Sequence, residues 1–115
     1  MLVEDHIAFR EALAFLLAHE PDLEVVQAGS LAEAREMLEE RPDVAVIDLV
    51  LPDGDGSELF GELRRSNPGI SVVVLSATIE AGHIEDLLRA GADPVLDKVQ
   101  SPPTIAEEVR RLAGR

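Results

Sequence analysis

Four consecutive apolar residues, Val44, Ala45, Val46 and Ile47, run without a polar face into an acid, Asp48. A segment apolar on both sides suits a strand covered on both faces, in the middle of a parallel sheet. Such surroundings offer a carboxylate nothing. One placed where a buried strand leaves the sheet lies at the carboxyl edge, where open α/β sheets bind ligands. Taken alone, an Asp in this place is as readily a turn or helix-capping residue. Two other strand ends shift that balance: the first candidate strand ends in Glu4 and Asp5, and the last leads to Lys98.

Strand and helix signals alternate along the rest of the chain. Met1 to Val3 is an apolar lead, clipped for a strand; from His6 onward Phe9, Leu13, Leu16 and Leu17 recur at helical spacing until Glu20 and Pro21. Leu23 to Ala28 reads as the second strand. Ser30 and Glu33 form a capping-box pattern that opens a helix with Ala34, Met37 and Leu38 inward, closed by Arg41 before Pro42. After the third strand come a loop through Pro52 and Gly56, a short helix carrying Leu59, Phe60 and Leu63, and a turn at Asn67, Pro68 and Gly69. Ile70 to Leu75 is the fourth strand, ending at Ser76 and Ala77. Ile84, Leu87 and Leu88 mark a helix capped by Gly91, and Pro94 to Leu96 is the fifth strand. Ser101 and Pro102 open the last helix, with Ile105, Val109 and Leu112 on its inner face.

Connections this short between parallel strands make right-handed crossovers. The predicted fold is α/β, a three-layer α/β/α sandwich of flavodoxin-like type, with a five-stranded parallel sheet of order 2-1-3-4-5 over residues 1–115 as one domain. That order makes strands 1 and 3 neighbours and sets Glu4 and Asp5 beside Asp48.

Composition narrows the chemistry. A net charge of −13 argues against direct binding of nucleic acid, which needs clustered Lys and Arg, and 3% aromatic residues, all Phe, leave no stacking platform for bases. The absence of Cys excludes disulfides and thiolate chemistry and fits a reducing compartment. No apolar run reaches membrane-spanning length, and the amino terminus lacks a signal-peptide pattern, so the expectation is a cytoplasmic protein with no membrane partner. His6, His19 and His83 have no ligand spacing and read as ordinary helix residues.

Three carboxylates converging in one crevice repel one another unless protons or a cation intervene. Mg²⁺ suits a small all-oxygen notch that leaves room for water and a phosphate. The Asp53-Gly54-Asp55-Gly56 run lacks the spacing and terminal Glu of a calcium loop. With a cation present, Asp48 is placed to act as a carboxylate nucleophile toward a phosphoryl group, while the cation and Lys98 neutralise the equatorial oxygens. Lys98 alone is a surface lysine after a strand, and Ser76 alone is a capping residue; their hydroxyl and ammonium become meaningful only beside the acids.

The acidic pair in LVEDH, Asp48 in VIDLVLPDGDG, Ser76 and Ala77 in VVVLSA and Lys98 after GADPVLDK together resemble the receiver domain of two-component response regulators. The likeness spans essentially the whole chain. LVEDHIAFREAL and EPDLEVV resemble the subfamily whose receivers precede a helix-turn-helix DNA-binding domain. The resemblance implies that Asp48 accepts a phosphoryl group from a histidine kinase, that Asp5 and Asp48 ligate Mg²⁺ directly with Glu4 acting through water and the Val50 carbonyl as a further ligand, that Lys98 holds the phosphoryl group and that Ser76 swings toward it. It implies a switch in transcriptional regulation rather than a turnover enzyme, with a new surface on helix 4, strand 5 and helix 5 offered to an output domain or regulated partner, and homodimerisation on phosphorylation. Val50 and Thr78 flank the expected pocket. Val95 stands where the family often has an aromatic switch, Pro94 replaces a common Gly, Val99 a frequent Pro, and Asp97 adds a charge beside Lys98. Two alternatives remain: a receiver-like interaction module that works without phosphorylation, and a small phosphohydrolase using an aspartyl phosphate, against which Val50 occupies the place of the expected second Asp.

Overall fold

A computed structural model of the chain describes residues 1–77, 81–92, 94–98 and 100–114. Its five sheet strands are β1 (Leu2–Val3), β2 (Gln27–Ala28), β3 (Val44–Asp48), β4 (Ser71–Ser76) and β5 (Val95–Asp97), all parallel in the order β2-β1-β3-β4-β5. The helices are α1 (Ile7–Ala18), α2 (Leu31–Glu36), α3 (Phe60–Ser66), α4 (Ala81–Ala90) and α5 (Pro102–Ala113). The predicted flavodoxin-like order is therefore the observed one.

Strand periodicity builds the layers. Ala45, Ile47, Val72 and Val74 pack on one face with Leu31, Leu59, Leu63 and Leu87 of the α2, α3 and α4 side. Leu2, Val46, Val73 and Leu75 pack on the other with Leu13 and Leu17 of α1 and Ile105, Val109 and Leu112 of α5. Alternate residues of one strand thus belong to different cores, which is why Val44 to Ile47 of β3 and Val72 to Leu75 of β4 had to be apolar without interruption. Fully burying a Leu such as Leu13 or Leu63 stabilises the fold by about 1.5–3 kcal/mol.

Several boundaries differ from the sequence reading. Strand pairing in β2 is confined to Gln27–Ala28, because β1 beside it is two residues long and gives Leu23 to Val25 no partner strand. The helix expected to run to Arg41 ends as α2 at Glu36 and continues as a 3₁₀ turn, Leu38–Glu40, before Arg41 takes a left-handed conformation with φ 48°. Tightening the last turn supplies bonds to otherwise orphaned carbonyls while Pro42 forbids more helix. Leu88, expected inward on α4, is 47% exposed, whereas Leu87 is buried. Gly91 adopts φ 111°, the predicted left-handed cap, and the Arg64 guanidinium occupies the space a Cβ would need.

After β3 the chain makes a small antiparallel ribbon, Val50–Leu51 against Gly54–Asp55, and a 3₁₀ turn, Gly56–Leu59, that runs into α3. Neither was foreseen. Gly56 makes the fold-back possible: its N–H donates to the Leu49 carbonyl at 2.8 Å, and a Cβ there would lie 2.2 Å from the Asp48 carbonyl oxygen.

Candidate functional site

The alternation that splits the core also aims the site. Leu2, Val46 and Leu96 face the α1 and α5 layer, and two residues beyond each of them stand Glu4, Asp48 and Lys98. Parallel pairing keeps these strand ends level, with Val3 opposite Ile47 and Leu75 opposite Leu96. The three side chains therefore leave the sheet on one side at its carboxyl edge.

There they meet. Lys98 Nζ donates to Glu4 Oε1 at 2.8 Å and to Asp48 Oδ2 at 3.2 Å. Glu4 is fully buried and Asp48 is 4% exposed, while Asp5 lies exposed at the mouth. Glu4, Asp5 and Asp48 each bring a carboxylate oxygen within 4.8 Å of the others. The Val50 N–H donates to Asp48 Oδ1 at 3.2 Å, and the Val50 side chain is 76% exposed above it. Ser76 is buried at the end of β4, and its carbonyl accepts the Lys98 N–H at 3.0 Å, tying the lysine's backbone to the neighbouring strand. Every predicted site residue thus lies at this edge.

Burial pushes the Glu4 carboxyl above its usual range; the hydrogen bond from Lys98 opposes the rise and the Asp48 charge adds to it. For Lys98, burial alone would lower the ammonium. The Glu4 hydrogen bond and the charges of Asp48 and Glu4 outweigh it, so the group is held above its ordinary value.

Whether a cation fits can be tested on Glu4. Its Oε1 accepts from Lys98 and from the His6 N–H at 3.1 Å, but Oε2 is buried with no hydrogen-bond partner among the described residues. A buried, unpartnered carboxylate oxygen is costly, and a donor set made of oxygens alone matches a hard divalent ion. The residues present fit Mg²⁺.

The Asp-Gly loop uses its acids differently. Asp53 accepts the amides of Leu31 and Ala32 at 2.8 and 3.0 Å, and these bonds hold its carboxyl below the ordinary range. Asp55 and Glu58 form a complete capping box. At the expected box on α2, Ser30 accepts from the Glu33 N–H, but the Glu33 carboxylate reaches Gly29 rather than Ser30.

Val95, at the position where the family often has an aromatic switch, packs against the core on the α2, α3 and α4 side. Asp97 pairs in register with Ser76, and alternation points it away from the Lys98 side. Thr78 and Val99 lie outside the described residues. A cavity of about 340 Å³ opens at the opposite end of the sheet among Leu17, Leu23, Val44 and Val109; Glu4, Asp5 and Asp48 do not line it.

Comparison with known proteins agrees with this geometry. A model of the response regulator receiver domain matches residues 1–110. The chain belongs to the response regulator receiver family. This receiver is 38% identical over 117 residues to the DNA-binding transcriptional activator DevR/DosR of Mycobacterium tuberculosis, covering 99% of this chain and 54% of that protein. It is 32% identical over 118 residues to the response regulator VraR of Staphylococcus aureus, covering 98% and 55%. It spans about half the length of the curated relatives it matches. Among solved structures, the receiver domain of the NarL response regulator of Mycobacterium tuberculosis superposes with a TM-score of 0.83 at 29% identity, covering 99% of this chain and 94% of that one. A LuxR-family response regulator from Aurantimonas gives 0.83 at 30%, covering 100% and 84%. Among the described residues, no helix of the receiver is long and apolar enough to cross a membrane.

Proposed function

We propose that this receiver is a Mg²⁺-dependent phosphoacceptor switch in which Asp48 takes a phosphoryl group from a histidine kinase in the cytoplasm. The convergence of Lys98 with Glu4 and Asp48 around a Glu4 oxygen that has no partner among the described residues carries the reading. A carboxylate oxygen of Asp48 attacks phosphorus; the new O–P bond forms as the P–N bond to the donor imidazole breaks, and that electron pair returns to the ring nitrogen. Lys98 donates to a phosphoryl oxygen and Ser76 to another, offsetting charge that builds on the equatorial oxygens. Mg²⁺, held by Asp5, Asp48, the Val50 carbonyl and, through water, Glu4, would supply the remaining positive charge. Its relatives' names support an output in transcription, through a partner or a further domain, with homodimerisation as one form of the response. Turnover is not the purpose: the position two residues after Asp48 is Val50, which has no proton to give a leaving group.

Incubation with a small acyl phosphate and Mg²⁺ should add one phosphoryl group, read by intact mass, and Asp48→Asn should take up none. Equal labelling of the variant would mean another residue is the acceptor.

A further inference from the structure

Lys98 meets a third group besides the two carboxylates. Its Nζ lies 5.2 Å from the centroid of the Phe9 ring, within the range of a cation–π contact. Phe9 is one of three aromatic residues in the chain. Phe60 is in the core, and Phe15 is 66% exposed, edge-on to His19. Phe9 is half-buried against the α1 and α5 core, on the side of the sheet toward which Lys98 leaves β5.

The helix turn that carries the ring is tied to the site. Phe9 stands in the first turn of α1, and its N–H donates to His6 Nδ1 at 3.2 Å, the N-cap bond of that helix. The His6 N–H in turn donates to Glu4 Oε1, the same atom that receives Lys98. Glu4, His6, Phe9 and Lys98 therefore close a circuit in which the acid that pairs the lysine also orients the helix turn that carries the ring.

We propose that Phe9 is a positioning residue for Lys98: its ring face holds the ammonium at the acid notch and aims it at the phosphoryl group. This rests on the phosphoacceptor reading. A long flexible side chain with three donors has many ways to point. Two carboxylates constrain it in the resting site; once Asp48 carries a phosphoryl group, the Glu4 carboxylate and the aromatic face are left to orient the ammonium.

The test compares Phe9→Leu, which keeps an apolar side chain without the ring quadrupole, with Phe9→Tyr, which keeps the ring. Leu should slow phosphorylation by a small acyl phosphate about three- to tenfold, in line with a contact of cation–π strength. Tyr should restore most of the rate, and Mg²⁺ affinity should stay within about twofold in both, as expected for a contact to Lys98 rather than to the metal ligands. Independently, the ε-methylene protons of Lys98 should show an aromatic ring-current shift in the wild-type spectrum that persists in Tyr and disappears in Leu. Equal rates in both variants, or a Lys98 spectrum indifferent to Leu, would overturn the proposal. If the wild-type protein accepts no phosphoryl group, the phosphoacceptor reading fails, and the ring-current result decides by itself whether Phe9 holds Lys98.

Discussion

Glu4 and Asp53 both stand at the carboxyl edge of the sheet, one in the notch between β1 and β3 and the other in the loop after β3, and their surroundings drive them in opposite directions. Glu4 is sealed from solvent, has one oxygen without a partner among the described residues, and has its carboxyl pushed up by burial. Asp53 is exposed, has both oxygens engaged by the amides that open α2, and has its carboxyl pulled down. At a helix amino terminus a carboxylate finds free N–H donors and a favourable dipole, so Asp53 is complete as it stands. Glu4 pairs with Lys98 through Oε1 and keeps Oε2 buried without a hydrogen-bond partner among the described residues. In a chain with 23 acids, this difference separates an acid that fastens the fold from one that keeps an oxygen open in the notch.

The largest consequence falls on Lys98. Replacing it with Met leaves Glu4 and Asp48 buried together without their cationic partner, which should cost about 3 kcal/mol in urea unfolding at neutral pH without Mg²⁺. Removing the charge that faces the transferred group should also slow phosphorylation at least about a hundredfold. Combining Lys98→Met with Asp48→Asn should recover part of the lost stability, since one of the two repelling charges is then gone. A Lys98→Met protein as stable as wild type would mean the notch carries no electrostatic load, and its contrast with Asp53 would vanish.

Next in size is the effect of the metal. A ligand that binds only the folded state stabilises it by about 2.7 kcal/mol at a hundredfold excess over its Kd, on the order of 10 °C for a chain of this size. Thermal unfolding with and without Mg²⁺ should show this in the wild type and lose most of it in Asp5→Asn, which removes the acid at the mouth of the notch. Retention of the full shift in Asp5→Asn would take Asp5 out of the ligand set.

Much of this was readable from the residues. The five strands and the charged residues at their ends follow from apolar runs ending in charge, because a buried strand tolerates a carboxylate only at its end; their order, which brings Glu4, Asp48 and Lys98 together, follows from the arrangement common to parallel sheets of this kind. The three strand-end residues even share the parity of Leu2, Val46 and Leu96, a pattern visible in the sequence once the two core faces are separated. What escaped depends on contacts between distant segments. Asp53 reaches Leu31 and Ala32 across more than twenty residues of chain, and nothing local distinguishes it from Asp55, which caps its own turn. The Phe9 ring reads as one more helix-face apolar residue until β5 brings Lys98 to it. Likewise the short β2 reflects the length of its neighbour rather than the β-branched residues of Leu23 to Ala28.

The smallest effect sharpens the comparison most, because it changes an acid without touching the notch. Asp53→Asn keeps one acceptor oxygen and removes the charge, so one of the two amide bonds is lost and the other weakens. Since the folded carboxyl is depressed below its ordinary value of 3.8, its stabilising contribution is fully present above that value and disappears as pH falls through the lower folded one. Asp53→Asn should therefore unfold more readily than wild type at neutral pH. The two stability curves should converge in the acid range below 3.8, where a protonated Asp53 is chemically close to the amide that replaces it. Mg²⁺ affinity should not change at all. A stability gap that is constant with pH would show that the clamp owes nothing to charge, and a shifted Mg²⁺ midpoint would join Asp53 to the acids of the notch.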